Sequence, residues 1–283
     1  MELHQAAAQL FIPDGTLEPD AITRITHLGI GAHQDDLEFM AFHGILECYH
    51  SSEKWFGGVT CTDGGGSPRA GVYSDMSDED MKVVRVQEQN DAAQVGHFAA
   101  MWQLAHPSRE IKDPADTNLA AELSGILKLA QPKFVYTHNL ADKHDTHIAV
   151  TLSAIEALRA LPKDQVPEKV FGCEVWRGLD WMVDSEKVAH NVSPHENLAM
   201  ALNGIFDSQI AGGKRYDLAT LGRRRANATF FESHATDEAD QISFAMDLTP
   251  MIHDDSIDPV AYTTGAIDRF KEDVETRIRK FMA

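Results

Sequence analysis

Between residues 25 and 176 the chain switches repeatedly between strand-like and helix-like hydrophobic patterns, and this alternation limits its folds more than any other feature. Ile25-Thr26-His27-Leu28-Gly29-Ile30-Gly31-Ala32 is a short apolar run with glycines, which predicts a buried parallel strand. Phe39, Phe42, Ile45 and Leu46 then fall on one face of a helix. Trp55 to Cys61 predicts a second strand, Asp63 to Gly71 a glycine-rich loop, and Asp78 to Val95 a helix. Met101 to Leu104 reads as a third strand. Leu119, Leu123, Ile126, Leu127 and Ala130 mark an amphipathic helix that Pro132 ends. Lys133 to Thr137 is a fourth strand, Ile148, Leu152, Ile155 and Leu158 the apolar face of another helix, and Val170 to Trp176 a fifth strand. Strands alternating with helices predict an α/β fold, a mostly parallel sheet covered by helices on both faces. Beyond residue 177 the pattern blurs. A helix is expected from Pro194 to Ile210, and Gly212 to Ala235 is polar and unassigned.

Composition narrows the partners. With 43% hydrophobic and 24% charged residues the chain has an ordinary globular balance. Its 25 Lys and Arg against 44 Asp and Glu leave a formal charge of −19, a field that repels nucleic acid and anionic membranes. Cys48, Cys61 and Cys173 are widely spaced and read as buried small hydrophobes. Met1-Glu2-Leu3-His4-Gln5 lacks the basic start of a signal peptide, and no segment approaches the apolar length of a membrane span, so a cytoplasmic location is expected.

Open parallel sheets bind ligands beyond the carboxyl ends of their strands, and two polar clusters are placed there. Gly29-x-Gly31 invites a dinucleotide reading, but Gln34 stands where the third glycine would fall, and the Gly64-Gly65-Gly66 loop lacks the lysine of a phosphate-binding loop. The first strand instead runs into Ala32-His33-Gln34-Asp35-Asp36. His33 and Asp36, three apart at a helix start, can point the same way and offer a nitrogen and an oxygen to a divalent metal, with Asp35 directed toward a bound water. The stretch His138 to His147 after the fourth strand supplies candidates for a third ligand. Two histidines and a carboxylate with a free fourth position form the donor set of a hydrolytic zinc site. The competing reading is that Asp142 or Asp145 simply caps the following helix.

These residues resemble the LmbE-like, or PIG-L, family of zinc-dependent N-acetylglucosaminyl deacetylases. Ala32-His33-Gln34-Asp35-Asp36 is similar to the family's Ala-His-Pro-Asp-Asp, with Gln34 in place of Pro. Asp142, His144 and His147 match its Asp-x-His-Pro-Asp-His, with Asp145 for Pro and Thr146 for Asp. Weaker likeness lies in Arg85-x-x-Glu88-x-x-x-Ala92-x-x-x-Gly96 and in Ser208-Gln209, where Phe206 takes the place of a family His. Without the resemblance, Arg85 and Glu88 read as an ion pair on a helix surface.

The resemblance implies a Rossmann-like fold in a single domain over 1–283, with a core of about 24–210 and a C-terminal elaboration over 211–283. It implies one zinc held by His33, Asp36 and His147, Asp35 as general base, and His144 polarising the carbonyl or stabilising the oxyanion. Thr146 removes the carboxylate expected to orient His144, a place that Asp142 or Asp145 is left to fill. The expected activity is deacetylation of a small N-acetylated amino-sugar substrate, with Arg69 on the glycine-rich loop holding sugar hydroxyls or an anionic aglycone. Homo-oligomerisation is compatible with this reading. The alternative is a metal-dependent sugar-binding or regulatory protein without turnover.

Overall fold

The computed structural model describes residues 3–282; Met1 and Glu2, at the start of the segment read as lacking a signal peptide, and Ala283 lie outside it. Its strands are β1 (Gln9–Phe11), β2 (His27–Gly31), β3 (Phe56–Thr62), β4 (Ala100–His106), β5 (Phe134–His138), β6 (Lys169–Cys173), β7 (Lys187–Asn191) and β8 (Ile242–Asp247). The helices are α1 (Glu18–Thr23), α2 (Asp36–Met40), α3 (Phe42–Cys48), α4 (Asp78–Val95), α5 (Ser108–Ile111), α6 (Asn118–Ala130) and α7 (Asp145–Arg159), then α8 (Glu196–Ile205), α9 (Asp207–Ile210), α10 (Tyr216–Phe230), α11 (Thr249–His253) and α12 (Pro259–Arg279).

All eight strands join one sheet in the order β1-β4-β3-β2-β5-β6-β8-β7. The five predicted strands are its contiguous parallel centre, β4-β3-β2-β5-β6, and the unforeseen β1, β7 and β8 pair antiparallel outside them. The sheet is therefore mostly parallel and flanked by helices on both faces, as expected. One apolar layer joins Leu28 and Ile30 of β2 to Leu123 and Ile126 of α6 and to Val150, Ala154 and Leu158 of α7. The other joins Phe56, Met101 and Tyr136 to Leu37, Phe42 and Ile45 and to Leu198 and Leu202 of α8.

Glycine decides how near a helix comes to the centre of this sheet. A Cβ on Gly29 would lie 2.8 Å from Phe56 Cζ and 2.9 Å from Leu37 Cδ2, and one on Gly31 only 3.0 Å from Asp36 Cβ. The Gly-x-Gly of β2 thus serves close packing of α2, not a dinucleotide.

Several local expectations are corrected. The helix expected around Phe39 to Leu46 is two helices meeting at Ala41, which leaves Phe39 half-buried while Phe42 and Ile45 enter the core. Leu152 of α7 is 45% exposed, and Val150 and Ala154 take its place on the apolar face. The helix expected up to Ile210 breaks at Phe206, and the unassigned polar stretch holds the fifteen-residue α10. No helix among the described residues is long and apolar enough to cross a membrane.

Candidate metal centre

β2 and β5 are parallel neighbours, so the turns leaving them open on the same edge of the sheet. After β2 the backbone bends at Asp35, which holds φ 100° and ψ −28°, a left-handed conformation that costs a non-glycine residue about 1–3 kcal/mol. Side chains hold the turn in place. Gln34 Nε2 donates to the Thr62 carbonyl (3.1 Å) and the Asp35 N–H donates to Gln89 Oε1 (3.2 Å). After β5, Asp142 Oδ1 accepts the His144 N–H (3.1 Å) and Oδ2 accepts the Trp176 N–H (3.1 Å), which sets the entry into α7. Neither Asp142 nor Asp145 is the helix cap: His144 occupies that position without a side-chain cap bond, and Asp145 is the first helical residue, exposed to solvent.

The two turns bring His33, Asp36 and His147 together. His33 Nδ1 lies 3.2 Å from His147 Nε2 and 3.3 Å from Asp36 Oδ2, and His147 Nε2 lies 3.5 Å from Asp36 Oδ1. Donors placed tetrahedrally at the usual ~2.0–2.1 Å from zinc stand about 3.4 Å apart; each pairwise separation is near that value, but His33 and His147 approach different oxygens of Asp36. Burial opposes ionisation of Asp36, but the imidazoles of His147 and His138 hold its carboxyl well below the usual carboxylate range. Burial lowers His147 to about 4 and keeps its imidazole neutral, the form that binds metal. Asp142 Oδ2 is the carboxylate oxygen facing the far nitrogen of His147, at 3.5 Å, longer than a hydrogen bond, so that nitrogen is unpartnered among the described residues.

Among the described residues, the groups of three whose donor atoms all lie close enough to share an ion are His33 with His144 and His147, and Asp36 with His138 and His147, so the predicted ligands are divided between two overlapping sets. His138, at the end of β5, stacks on His147 with ring centroids 3.8 Å apart. Its Nε2 lies 2.9 Å from the Ala32 nitrogen and 3.3 Å from Asp36 Oδ2. His138 was not singled out from the sequence. Only its place at a strand end beside the second motif pointed to it.

Asp35 lines the same cavity as His33 and Asp36, and its Oδ2 lies 3.2 Å from Arg85 Nη2. Burial pushes the Asp35 carboxyl up to about 7, against the pull of Arg85 and with the push of Asp36. The expected surface pair of Arg85 and Glu88 is in fact buried, with Arg85 only 1% exposed. Glu88 accepts from the Ser208 N–H (2.7 Å) and Oγ (2.6 Å), so Ser208 of α9 closes a chain of contacts running to Asp35.

His144 lies across from these groups, its ring 4.9 Å from that of His33 and 4.6 Å from that of His147. Its Nδ1 has no partner, so neither Asp142 nor Asp145 fills the place of the missing carboxylate, and Thr146 lies buried beside it. Burial, and then the charge of His33, lower the His144 imidazole below its ordinary value. All of this opens into a cavity of about 570 Å³ whose far wall is Trp176, Lys214 and the Tyr216, Thr220, Arg223 face of α10. Arg69 does not reach it; its guanidinium bonds the Gly65 carbonyl and pairs with Asp78. Tyr216, Thr220 and Arg223 were missed because α10 shows little apolar periodicity in sequence, and Trp176 and Lys214 because neither belongs to a motif.

Fold and site together define an α/β protein with a candidate His/Asp metal centre at the carboxyl edge of a parallel sheet. Residues 28–158 match the family described as PIG-L: GlcNAc-PI de-N-acetylase, so the family resemblance holds over a span that contains both motifs. No curated protein sequence matches the chain significantly. Among solved structures, a conserved protein of Thermus thermophilus is similar at 17% identity and TM-score 0.58, over 78% of this chain and 94% of that one. The 4-carboxy-2-hydroxymuconate hydratase of Pseudomonas putida is similar at 18% identity and TM-score 0.60, over 79% and 96%. The N,N'-diacetylchitobiose deacetylase of Pyrococcus horikoshii is similar at 14% identity and TM-score 0.61, over 81% and 85%. At these identities the likeness is one of fold, and it spans proteins described by different reactions.

Proposed function

We propose that the protein is a zinc-dependent N-deacetylase acting on a small N-acetylated amino sugar, with the whole chain forming one domain. The observation that carries this reading is the juxtaposition of the His33, Asp36 and His147 donors with a buried, non-ligating Asp35, inside the segment that matches a de-N-acetylase family. When bound, zinc supplies Lewis acidity toward the acetamide carbonyl and the attacking water.

The chain's own residues do the remaining work. Asp35 takes a proton from the attacking water and returns it to the departing amine, a two-way task for which burial, by opposing its ionisation, suits it. Arg85 fixes the carboxylate for this, beside the His33 and Asp36 donors that line the same cavity. His144 lines the cavity and serves the developing oxyanion as a hydrogen-bond donor. Trp176 and Tyr216, edge to face at 5.8 Å, offer an aromatic surface for a sugar ring.

Acetate release by zinc-loaded protein from a panel of N-acetylated amino sugars and thiol conjugates tests the reading. Asp35→Asn should keep its zinc and lose roughly 10²–10⁴-fold in rate. A metal-loaded wild type inactive on the entire panel would replace the enzyme with the binding protein.

A further inference from the structure

The chain carries a formal charge of −19, yet the outer part of its cavity is cationic. Three of its lining side chains, Lys112, Lys214 and Arg223, form no ion pair among the described residues. The other two basic side chains are used internally. Arg85 serves Asp35 and Glu88, and the buried Arg224 donates to the Glu38 and Phe39 carbonyls at 2.9 Å. Of the lining carboxylates, Asp35 and Asp36 belong to the centre, and the buried Glu174 accepts from Asn227 Nδ2 (2.5 Å) and the Phe244 N–H (3.1 Å); the charge of Arg223 acts on it without a salt bridge, so Lys214 is the wall cation with no carboxylate nearby in the cavity lining.

Two of the three free cations are held in place. Lys214 Nζ sits 5.2 Å from the centre of the Trp176 ring, and half-buried Arg223 is fixed by its bond to the Val175 carbonyl. Tyr216, Thr220 and Arg223, at i, i+4 and i+7, turn one face of α10 into the cavity, so Arg223 is presented together with a hydroxyl. The Trp176 N–H is bonded to Asp142 and its ring centroid lies 6.2 Å from that of His144. The cationic wall is thus tied to the reacting centre through a single residue.

We infer that this wall is an anion subsite, in which Lys214, Thr220 and Arg223 bind a carboxylate or phosphate group carried by the substrate beside a ring stacked on Trp176. In a chain of this net charge, unpaired cations within a concave site oppose the general field and concentrate it on one ligand group. The inference builds on the deacetylase reading for its choice of ligands but is measured separately from turnover.

Binding of three probes to zinc-loaded Asp35→Asn protein by calorimetry provides the test: a neutral methyl N-acetylglucosaminide, N-acetylglucosamine 6-phosphate, and N-acetylmuramic acid. At least one anionic probe should bind about tenfold or more tightly than the neutral one, as expected of charge-assisted bonds to fixed donors. Which anion gains more identifies the group as phosphate or carboxylate. Lys214→Gln and Arg223→Gln should each shrink the advantage, Lys214→Arg should retain it, and Lys214→Glu should abolish or reverse it. Equal affinities, no binding of any probe, or an advantage that survives in a Lys214→Gln, Arg223→Gln double variant would overturn the inference. Acetate release by wild-type protein is read in parallel. Anion preference without acetate from any probe would leave the subsite standing and remove the deacetylase.

Discussion

Asp142→Asn probes the metal centre without touching a donor atom. In the structure one carboxylate serves three groups: Oδ1 accepts the His144 N–H at 3.1 Å, while Oδ2 accepts the Trp176 N–H at 3.1 Å and stands 3.5 Å from His147 Nδ1. An amide has a single acceptor oxygen. If it keeps the Oδ2 place, its NH₂ confronts the His144 N–H; if it takes the Oδ1 place, its NH₂ confronts both Trp176 and His147. Either way a buried N–H loses its acceptor, which costs about 1–3 kcal/mol of stability in the metal-free protein. Losing a carboxylate that orients a ligating imidazole typically weakens metal affinity about 10–100-fold, or about 1.4–2.8 kcal/mol. Zinc affinity measured by competition with a chromophoric chelator, together with urea unfolding of the metal-free protein, reads both effects. Asp145→Asn is the control, because Asp145 is exposed at the start of α7, and its zinc affinity should match wild type. Zinc binding by Asp142→Asn within twofold of wild type, or a larger loss in Asp145→Asn, would show that Asp142 does not support the ligand.

Further outcomes follow from burial elsewhere. Arg85→Met leaves the buried Asp35 and Glu88 carboxylates without their cation and should cost about 3–5 kcal/mol in urea unfolding; a loss under 1 kcal/mol would mean that the pair is not needed. Burial lowers His27 to about 4 and His190 to about 3, so the unfolded chain takes up protons below about pH 6.5 that the folded chain refuses. Stability is then full above pH 6.5 and falls as pH drops toward 4. His190→Phe should lessen that fall in a urea midpoint series, and an unchanged slope would rule against a neutral buried imidazole. Gly44→Ala places a Cβ 2.6 Å from Tyr136 Cε2 and 3.1 Å from Phe56 Cε2, and should destabilise by about 1–3 kcal/mol; a melting temperature equal to wild type would show that the rings move aside freely.

What could be read in the sequence follows from how each segment is buried. Strands covered on both faces, such as His27–Gly31 and Phe134–His138, are nearly continuous apolar runs and stood out. The α4 bounds agree with the expected Asp78 to Val95, and the structure adds a capping box between Ser77 and Asp80 that the sequence reading did not use. α10 was obscure because only Arg224 and Ala228 of its fifteen residues are buried, the rest meeting solvent or the cavity. In the site, His33, Asp36 and His147 were legible as donors because their types and spacing are chemical signals. The burial of Arg85 and its reach to Asp35 were not, because an Arg and a Glu three apart look the same on a wetted helix as under another element. The missing partner of His144 was a question the motif raised, and only the fold could show that the side chain of Asp142 lies nearer His147, 3.5 Å from its Nδ1, while accepting the His144 backbone N–H.

The cavity is assembled from two separate stretches of chain. The metal donors and Asp35 lie within 28–158, and the facing wall comes from Trp176 and residues 214–223. α10 contributes few buried side chains, so its cavity face can be rewritten without repacking either apolar layer. Variation can therefore search for new ligands at positions 176, 214, 220 and 223 while the chemistry at β2 and β5 is left intact. For a laboratory library this means few combinations, low losses to misfolding, and changes in selectivity that are not automatically changes in rate.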